Sequence, residues 1–97
     1  MNTSQVVEYV FNRANNLLVD KEFDYEDTWI REGIPVSSAS ALRKASSIEV
    51  QLRNGVIATK KPKILEDLLD LMNYCALTYA LVDLGPDECR RKLESAD

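Results

Sequence analysis

The chain has 97 residues, a formal charge of −4 and a sequence pI of about 4.8. Its length fits one small domain, and 45% hydrophobic with 29% charged residues is typical of a folded, soluble protein. The acidic balance disfavours duplex DNA or RNA as a main partner, and the absence of histidine excludes Ser-His-Asp, Cys-His and common zinc chemistry.

The N-terminus and the apolar runs indicate whether the chain carries a targeting or membrane-spanning segment. The N-terminus lacks a basic start followed by a long apolar region, and the run from Leu68 to Val82 is interrupted by Asp70 and Asn73. We therefore expect no signal peptide, no membrane span and a cytoplasmic location. Cys75 lies in an apolar helical run, and we expect it to be a reduced core residue.

The N-terminal pattern predicts a first helix near residues 4–19, which Thr3 or Ser4 can cap. Its apolar residues recur at three- and four-residue steps and are Val6, Val7, Val10, Phe11, Ala14, Leu17 and Leu18. The next segment, from Lys21 to Gly33, interleaves acidic and aromatic residues and has neither a helical nor a strand period. We expect a loop there, with at most one helical turn.

A second helix is predicted near residues 38–54. Ser37 or Ser38 can cap its start, and the Asn54-Gly55 pair ends it. One face of this helix is apolar and consists of Ala41, Ala45, Ile48 and Leu52. A connecting loop with clustered lysines follows.

The third helix is predicted near residues 63–84, from a start at Pro62 to a stop at the Gly85-Pro86 pair. It should pack antiparallel to the second helix because their connection is short. A short C-terminal helix completes a single all-α domain over residues 1–97. The third helix has more apolar circumference than two neighbours can cover, so we expect homo-oligomerisation to complete the bundle.

Acidic residues in the third helix are the main candidates for function. At about 100° per residue, Glu66, Asp70 and Asn73 share one narrow stripe, with Asp67 beside it. Most of the remaining circumference is apolar, so Asp70 and Asn73 are candidates for half-burial between helices. Such a carboxylate needs a metal ion, a basic side chain or water. The basic partners available on the second helix are Arg43, Lys44 and Arg53.

Carboxylates at this spacing can also hold Mg²⁺ against a substrate phosphate. The candidate metal ligands are Asp67, Asp70, Glu49 and Glu66. Lys44 and Arg53 are candidate phosphate contacts. The acidic and aromatic segment adds candidate ligand contacts, which are Asp24, Tyr25, Asp27 and Trp29. Alternatively, Phe23 and Trp29 cap the small helical core.

Two blocks of sequence resemble a known family. They are Lys21-x-x-Asp24-Tyr25-x-Asp27-x-Trp29 and, after Lys44, Asp70-x-x-Asn73-Tyr74-x-Ala76. Over about residues 15–84 the chain resembles the small phage and bacterial family called nucleotide modification associated domain 1. Glu26 departs from the glycine usual in that family. The resemblance implies a nucleotide-directed role and adds Asn73 to the candidate ligand-binding residues.

The helical order and Asp67-x-x-Asp70 are also remotely similar to all-α nucleotide pyrophosphohydrolases of the MazG and dimeric dUTPase type. Those enzymes hold magnesium with an ExxE pair and a later ExxD pair, whereas this chain offers Glu49 without an ExxE. The resemblance implies a magnesium-dependent nucleoside triphosphate pyrophosphohydrolase-like domain in phage nucleotide metabolism. Two alternatives remain open: a non-catalytic nucleotide-binding or protein-binding module, and a phage inhibitor of a host protein.

Overall fold

A computed structural model describes residues 1–25, 27–55 and 57–95. Within these ranges the chain forms four helices, which are α1 (Thr3–Tyr25), α2 (Thr28–Arg53), α3 (Ile57–Leu84) and α4 (Pro86–Glu94). The prediction of an all-α fold with three main helices and a short C-terminal helix is confirmed. None of the helices in the described ranges is both long and apolar enough to span a membrane.

The start of α1 is capped by Asn2, whereas the sequence predicted Thr3 or Ser4 as the cap. The Asn2 side chain accepts a hydrogen bond from the Gln5 backbone N–H at 2.8 Å, and the Gln5 side chain accepts one from the Asn2 N–H at 2.8 Å. This reciprocal arrangement is a capping box, which satisfies two donors at the helix end. The helix then continues beyond its predicted end at residue 19.

The predicted loop between Lys21 and Gly33 is wrong for most of its length, because α1 extends to Tyr25 and α2 starts at Thr28. The segment has no proline and no glycine before Gly33, so the backbone can stay helical without an apolar period. The helical residues of this segment thus exceed the single turn that the sequence predicted, and the first part of α2 is short. It ends at Gly33, whose φ of 75° and ψ of −169° place a kink before Pro35.

Glycine and proline also set the limits of α3. Gly55, with φ of 68°, ends α2 as predicted. The α3 helix begins at Ile57, earlier than predicted, and is kinked at Lys60 shortly before Pro62, which has no N–H to donate to the preceding turn. It ends at Leu84 as predicted, where Gly85 has φ of 83°.

The α4 helix closes one end of the bundle. Its Cys89 is buried in a cluster with Ile30 and Leu81, and Trp29 packs against that cluster. The expectation that Cys75 is a core residue is wrong, because Cys75 is exposed. Its side of α3 faces away from both α1 and α2, so an apolar neighbourhood along the helix did not imply burial.

The α3 helix contacts each of the other helices. It runs antiparallel to α2, as predicted, since Ser37 meets Thr78 near one end of the pair and Gln51 meets Asp67 nearer the other. The α1 helix is joined to α3 by the Asn73 amide, which donates to the Ala14 carbonyl oxygen at 2.9 Å. The arrangement leaves a polar layer between α2 and α3.

Candidate functional site

Small and charged side chains line the contact between α2 and α3, and we call this set the polar seam. Both helices contribute at three- and four-residue steps, which place each set on one face. The members from α2 are Ser37, Ser40, Lys44, Ser47 and Gln51, and those from α3 are Lys63, Asp67, Asp70, Tyr74 and Thr78.

The face of α2 that meets α3 is therefore rotated relative to the predicted apolar face. Ile48 is buried as that prediction requires and Ala41 is half-buried, but Ala45 and Leu52 are exposed. Serine and alanine both allow close approach of two helices, so the small side chains did not reveal which face packs. The buried positions Ser37 and Ser40 show that the seam side packs.

Asp67 is among the most deeply buried side chains of the described residues, with 2% of its surface exposed. Its carboxylate accepts hydrogen bonds from Lys63 Nζ at 2.9 and 3.1 Å and from Lys44 Nζ at 3.2 Å. Gln51 Nε2 donates to Oδ2 at 3.3 Å. A buried carboxylate is tolerated only when donors replace its hydration, and these three side chains do so.

The ionisation of Asp67 and Lys44 follows from this network. Burial by itself raises the pKa of Asp67, but hydrogen bonds from Lys63, Gln51 and Lys44 outweigh burial and hold the pKa below its ordinary value of 3.8. Burial lowers the pKa of Lys44, whereas its bonds to Asp70 and Asp67 raise it, so that the pKa lies above 10.5. Both groups are therefore charged at neutral pH.

Lys44 also joins Asp67 to Asp70. Its Nζ lies 3.2 Å from Asp67 Oδ1 and 3.2 Å from Asp70 Oδ2. The Asp70 side chain is partly buried, as the sequence predicts for a carboxylate between helices. Among the basic residues considered from the sequence, Lys44 lies against Asp70 in the structure.

A pocket opens beside Asp70 between α1, α2 and α3, and we call it the aromatic pocket. Its volume is about 110 Å³, and its apolar lining includes Trp29, Tyr74 and Leu77. The polar residues of its lining are Thr28, Glu32, Ser37, Ser40, Asp70 and Asn73. A mainly apolar pocket with a few convergent polar groups is the usual form of a small-molecule site.

A second recess, the basic cleft, lies on the other side of Ser40 and Tyr74, which line both spaces. Its volume is about 230 Å³. Its cations are Arg43, Lys44 and Lys63, and the same recess contains Ser47 and Asp67. The two recesses thus adjoin, with aromatic rings in one and cationic side chains in the other.

The structure brings together five of the residues predicted for the site. Asp67, Asp70 and Lys44 form one ion-pair network, and Asn73 and Trp29 line the adjoining aromatic pocket. This grouping joins residues that are far apart in the sequence.

Other predicted site residues lie elsewhere. Glu49 and Arg53 pair with each other at 3.0 Å beside a separate shallow recess, and Arg53 lies about 180° around α2 from Lys44 at about 100° per residue. Asp27 pairs with Arg31 at 3.6 Å. Glu66 is exposed on α3. The side chains of Asp24 and Tyr25 lie outside the described residues.

Sequence reasoning missed Lys63, Gln51 and Ser40 as site residues. Lys63 is four positions before Asp67, a spacing that brings helical side chains together, so the pair was available from the sequence. Gln51 lies seven positions after Lys44, which places both on the same side of α2. The recurrence of Ser40, Lys44, Ser47 and Gln51 at three- and four-residue steps already indicated a common face of α2. We instead predicted that the apolar face packs.

The acidic residues do not gather into a group of metal-ligand type within the described ranges. There, no cluster of three or more histidine, cysteine, aspartate or glutamate side chains could hold a metal ion. Asp67 and Asp70 share Lys44 instead, while Glu49 is directed to Arg53.

No protein-family model, curated protein sequence or solved structure matches this chain.

Replacing Asp67 with alanine tests the importance of the buried carboxylate. We expect the free energy of unfolding to fall by about 3 kcal/mol, the lower end for a broken buried ion pair, because Lys63 is 65% exposed and can turn to water. Glu49→Ala is the matched control, since Glu49 is 62% exposed and its pair with Arg53 should contribute about 0–1 kcal/mol. Urea denaturation of both variants measures the two losses. Equal losses in the two variants would contradict a larger stabilising role for the buried Asp67 carboxylate than for the exposed Glu49.

The contribution of Asp67 should also depend on pH. Because its pKa in the folded protein lies below 3.8, its stabilisation is fully present above pH 3.8 and is lost as pH falls through the folded-state pKa. The unfolding free energies of wild type and Asp67→Asn should therefore converge at low pH. Urea denaturation at about pH 7, 5, 4 and 3 measures this difference. If the difference between wild type and Asp67→Asn grows as the pH falls, the pKa of Asp67 is not lowered in the folded protein.

Proposed function

We propose that this chain is a nucleotide-binding helical domain, with the base in the aromatic pocket and the phosphates in the basic cleft. The observation that carries the proposal is that the two recesses share Ser40 and Tyr74 as a common wall. A nucleotide has the same division, since a flat aromatic base is joined through a sugar to an anionic tail.

The lining of the aromatic pocket suits a base. Trp29 and Tyr74 line it, and stacking of a base on an aromatic side chain contributes about 1–3 kcal/mol. Asn73 also lines the pocket; its amide nitrogen donates to the Ala14 carbonyl, and its side-chain oxygen is an acceptor. Asp70 and Glu32 add further acceptors for the N–H groups of a base edge.

The basic cleft suits the phosphates. Arg43, Lys44 and Lys63 bring three positive charges against the two negative charges of Asp67 and Asp70, so the local balance is positive in an acidic protein. Arg43 is exposed and donates one hydrogen bond to Ser40 Oγ at 3.0 Å. Its planar guanidinium offers further donors in a geometry that matches a phosphate.

The geometry supports binding better than hydrolysis. The charge of Asp67 is already matched by Lys63 and Lys44, so Mg²⁺ would have to compete with both lysines for that carboxylate. The described acidic residues also do not supply a third ligand close to this pair. We therefore place the non-catalytic nucleotide-binding module ahead of the magnesium-dependent pyrophosphohydrolase.

Magnesium-dependent turnover of a nucleoside triphosphate, as in phage nucleotide metabolism, is the second candidate. It is favoured by the position of the Lys44 ammonium, which lies 3.2 Å from a carboxylate oxygen of both Asp67 and Asp70. A cation between two carboxylates occupies the kind of place that a divalent ion takes. Binding to a host protein is a third proposal, for which the described residues offer no specific geometry.

Trp29 provides a direct test of nucleotide binding, because it is the chain's single tryptophan and lines the aromatic pocket. Titration with each nucleoside triphosphate, with and without Mg²⁺, should change its fluorescence in a saturable way. Arg43→Gln should weaken binding about tenfold, since a hydrogen bond to a charged group contributes about 1.5 kcal/mol or more. Arg53→Gln is the matched control and should bind as wild type. If no nucleotide gives a saturable change, the proposal is wrong.

Asp70→Asn separates the ion-pair and metal-site interpretations. With Lys44 against Asp70 and Asp67, we expect the neutral amide to lower the free energy of unfolding by about 1–3 kcal/mol whether or not Mg²⁺ is present. If the residues form a metal site, the free energy of unfolding without Mg²⁺ should instead stay level or rise. Removing the charge of Asp70 then relieves repulsion between neighbouring carboxylates. Melting temperatures of wild type and variant, with and without Mg²⁺ and a nucleoside triphosphate, measure the effect. Stability that stays level or rises without Mg²⁺, with loss of magnesium-dependent nucleotide binding, would favour the metal site.

A further inference from the structure

The side of α3 that faces away from the polar seam carries a continuous apolar row, which we call the α3 stripe. Its members recur at alternating three- and four-residue steps and are Leu65, Leu68, Met72, Cys75, Tyr79 and Val82. Tyr79 is 72% exposed and Val82 is 67% exposed. From residue 65 to residue 82 the stripe extends for about 26 Å, at about 1.5 Å per residue.

The stripe is exposed because the other helices cover different sides of α3. The α2 helix lies against the side that contains Asp67, and α1 lies near Asn73. At about 100° per residue, no charged residue falls on the stripe side between Lys61 and Asp83. Contiguous apolar rows of this kind on a folded chain usually mark a contact surface.

We propose that the α3 stripe is a homodimer interface in which two copies of α3 pack antiparallel. Alternating three- and four-residue steps are the spacing by which two helices pack side by side with interlocking side chains. Reversing the second helix about a point between Met72 and Cys75 places Leu65 opposite Val82 of the partner subunit and Leu68 opposite Tyr79 of the partner subunit. The stripe is thus complementary to its own reversed copy.

The charges at the two ends of the stripe select the antiparallel arrangement. Lys61 precedes the stripe, Asp83 follows it, and both residues are exposed. An antiparallel pair brings Lys61 to within about one helical turn, about 5 Å, of Asp83 of the partner subunit, twice per dimer. A parallel pair would place like charges together at both ends, which is unfavourable.

A second copy of this chain fits the α3 stripe better than a different protein does, because the stripe is complementary to itself. The stripe has opposite charges at its two ends and a near-symmetric apolar centre, so the one surface supplies both halves of the contact. A two-fold interface requires this self-complementarity. A homodimer would also bury the apolar side of α3 that α1 and α2 leave exposed.

Analytical ultracentrifugation of the whole chain tests the interface. We expect a wild-type dimer at about 100 μM and a Kd at least about tenfold weaker for Val82→Glu, because each copy would bury an unpaired carboxylate. Leu42→Glu is the matched control, since Leu42 is also 67% exposed but lies on α2. Circular dichroism verifies that both variants are folded. A monomeric wild type, equal losses in the two variants, or a stripe that binds only another protein overturns the proposal.

Charge reversal tests the orientation. Lys61→Glu and Asp83→Lys should each weaken self-association about fivefold, since each turns two attractive contacts per dimer into repulsive ones. The double variant Lys61→Glu/Asp83→Lys restores opposite charges and should dimerise as wild type. In a parallel dimer the single variants keep the like-charge contacts and leave the Kd unchanged. Unchanged single variants, or a double variant as weak as the single ones, overturn the antiparallel arrangement.

Discussion

The buried carboxylate of Asp67 is the constraint on which the arrangement of α2 and α3 depends. An ionised group that is 2% exposed must replace its hydration with donors, and the donors come from Lys44 and Gln51 on α2 and Lys63 on α3. Lys44 and Gln51 lie two turns apart, so both reach one carboxylate only in one rotation and one register of α2. Apolar packing between two helices tolerates sliding, whereas a buried charge does not. We therefore expect the ion-pair network to favour this one packing of α2 and α3 over others.

The positions of both recesses of the candidate site depend on this rotation and register of α2 against α3. Ser40 and Tyr74 meet one turn beyond the carboxylate network and line both the aromatic pocket and the basic cleft. Small serine side chains on α2 keep the helices close and leave room beside Tyr74. Lys44 and Asp67 line the basic cleft while Asp70 lines the aromatic pocket, so one ion-pair network forms part of both recesses. A ligand that reaches from one recess to the other would contact the network that holds the helices together, so binding and stability should be coupled.

Sequence patterns located the features that are fixed locally. Gly55 and Gly85 end their helices because a positive φ strains other residues, and Asp70 and Asn73 are half-buried because they interrupt an apolar helix. Features set by tertiary contacts were not recoverable in the same way. Residues 21–25 continue α1 without an amphipathic period, and in the first turn of α2 Ile30 is buried against Leu81. The packing face of α2 was misassigned because it is lined by serine rather than by apolar residues. On that face Lys44 is matched by Asp67 and Asp70 of α3, and this match is visible only once the two helices are assembled.

The three sides of α3 explain why one helix can combine several roles. One side meets α2 through charged and hydroxyl groups, a second meets α1 through the Asn73 amide, and the third carries the exposed α3 stripe. A helix that is apolar around most of its circumference is normally buried on all sides, and a chain of 97 residues has too few helices to do this alone. Burial of the stripe against a second copy would supply the missing side without covering the recesses, because the stripe and the polar seam lie on different sides of α3, about 130° apart at about 100° per residue. Self-association would then restrain the stripe side of α3, while the seam side holds the ion-pair network. The same separation means that variants in the stripe and variants in the seam act on different properties, so the two proposals can fail independently.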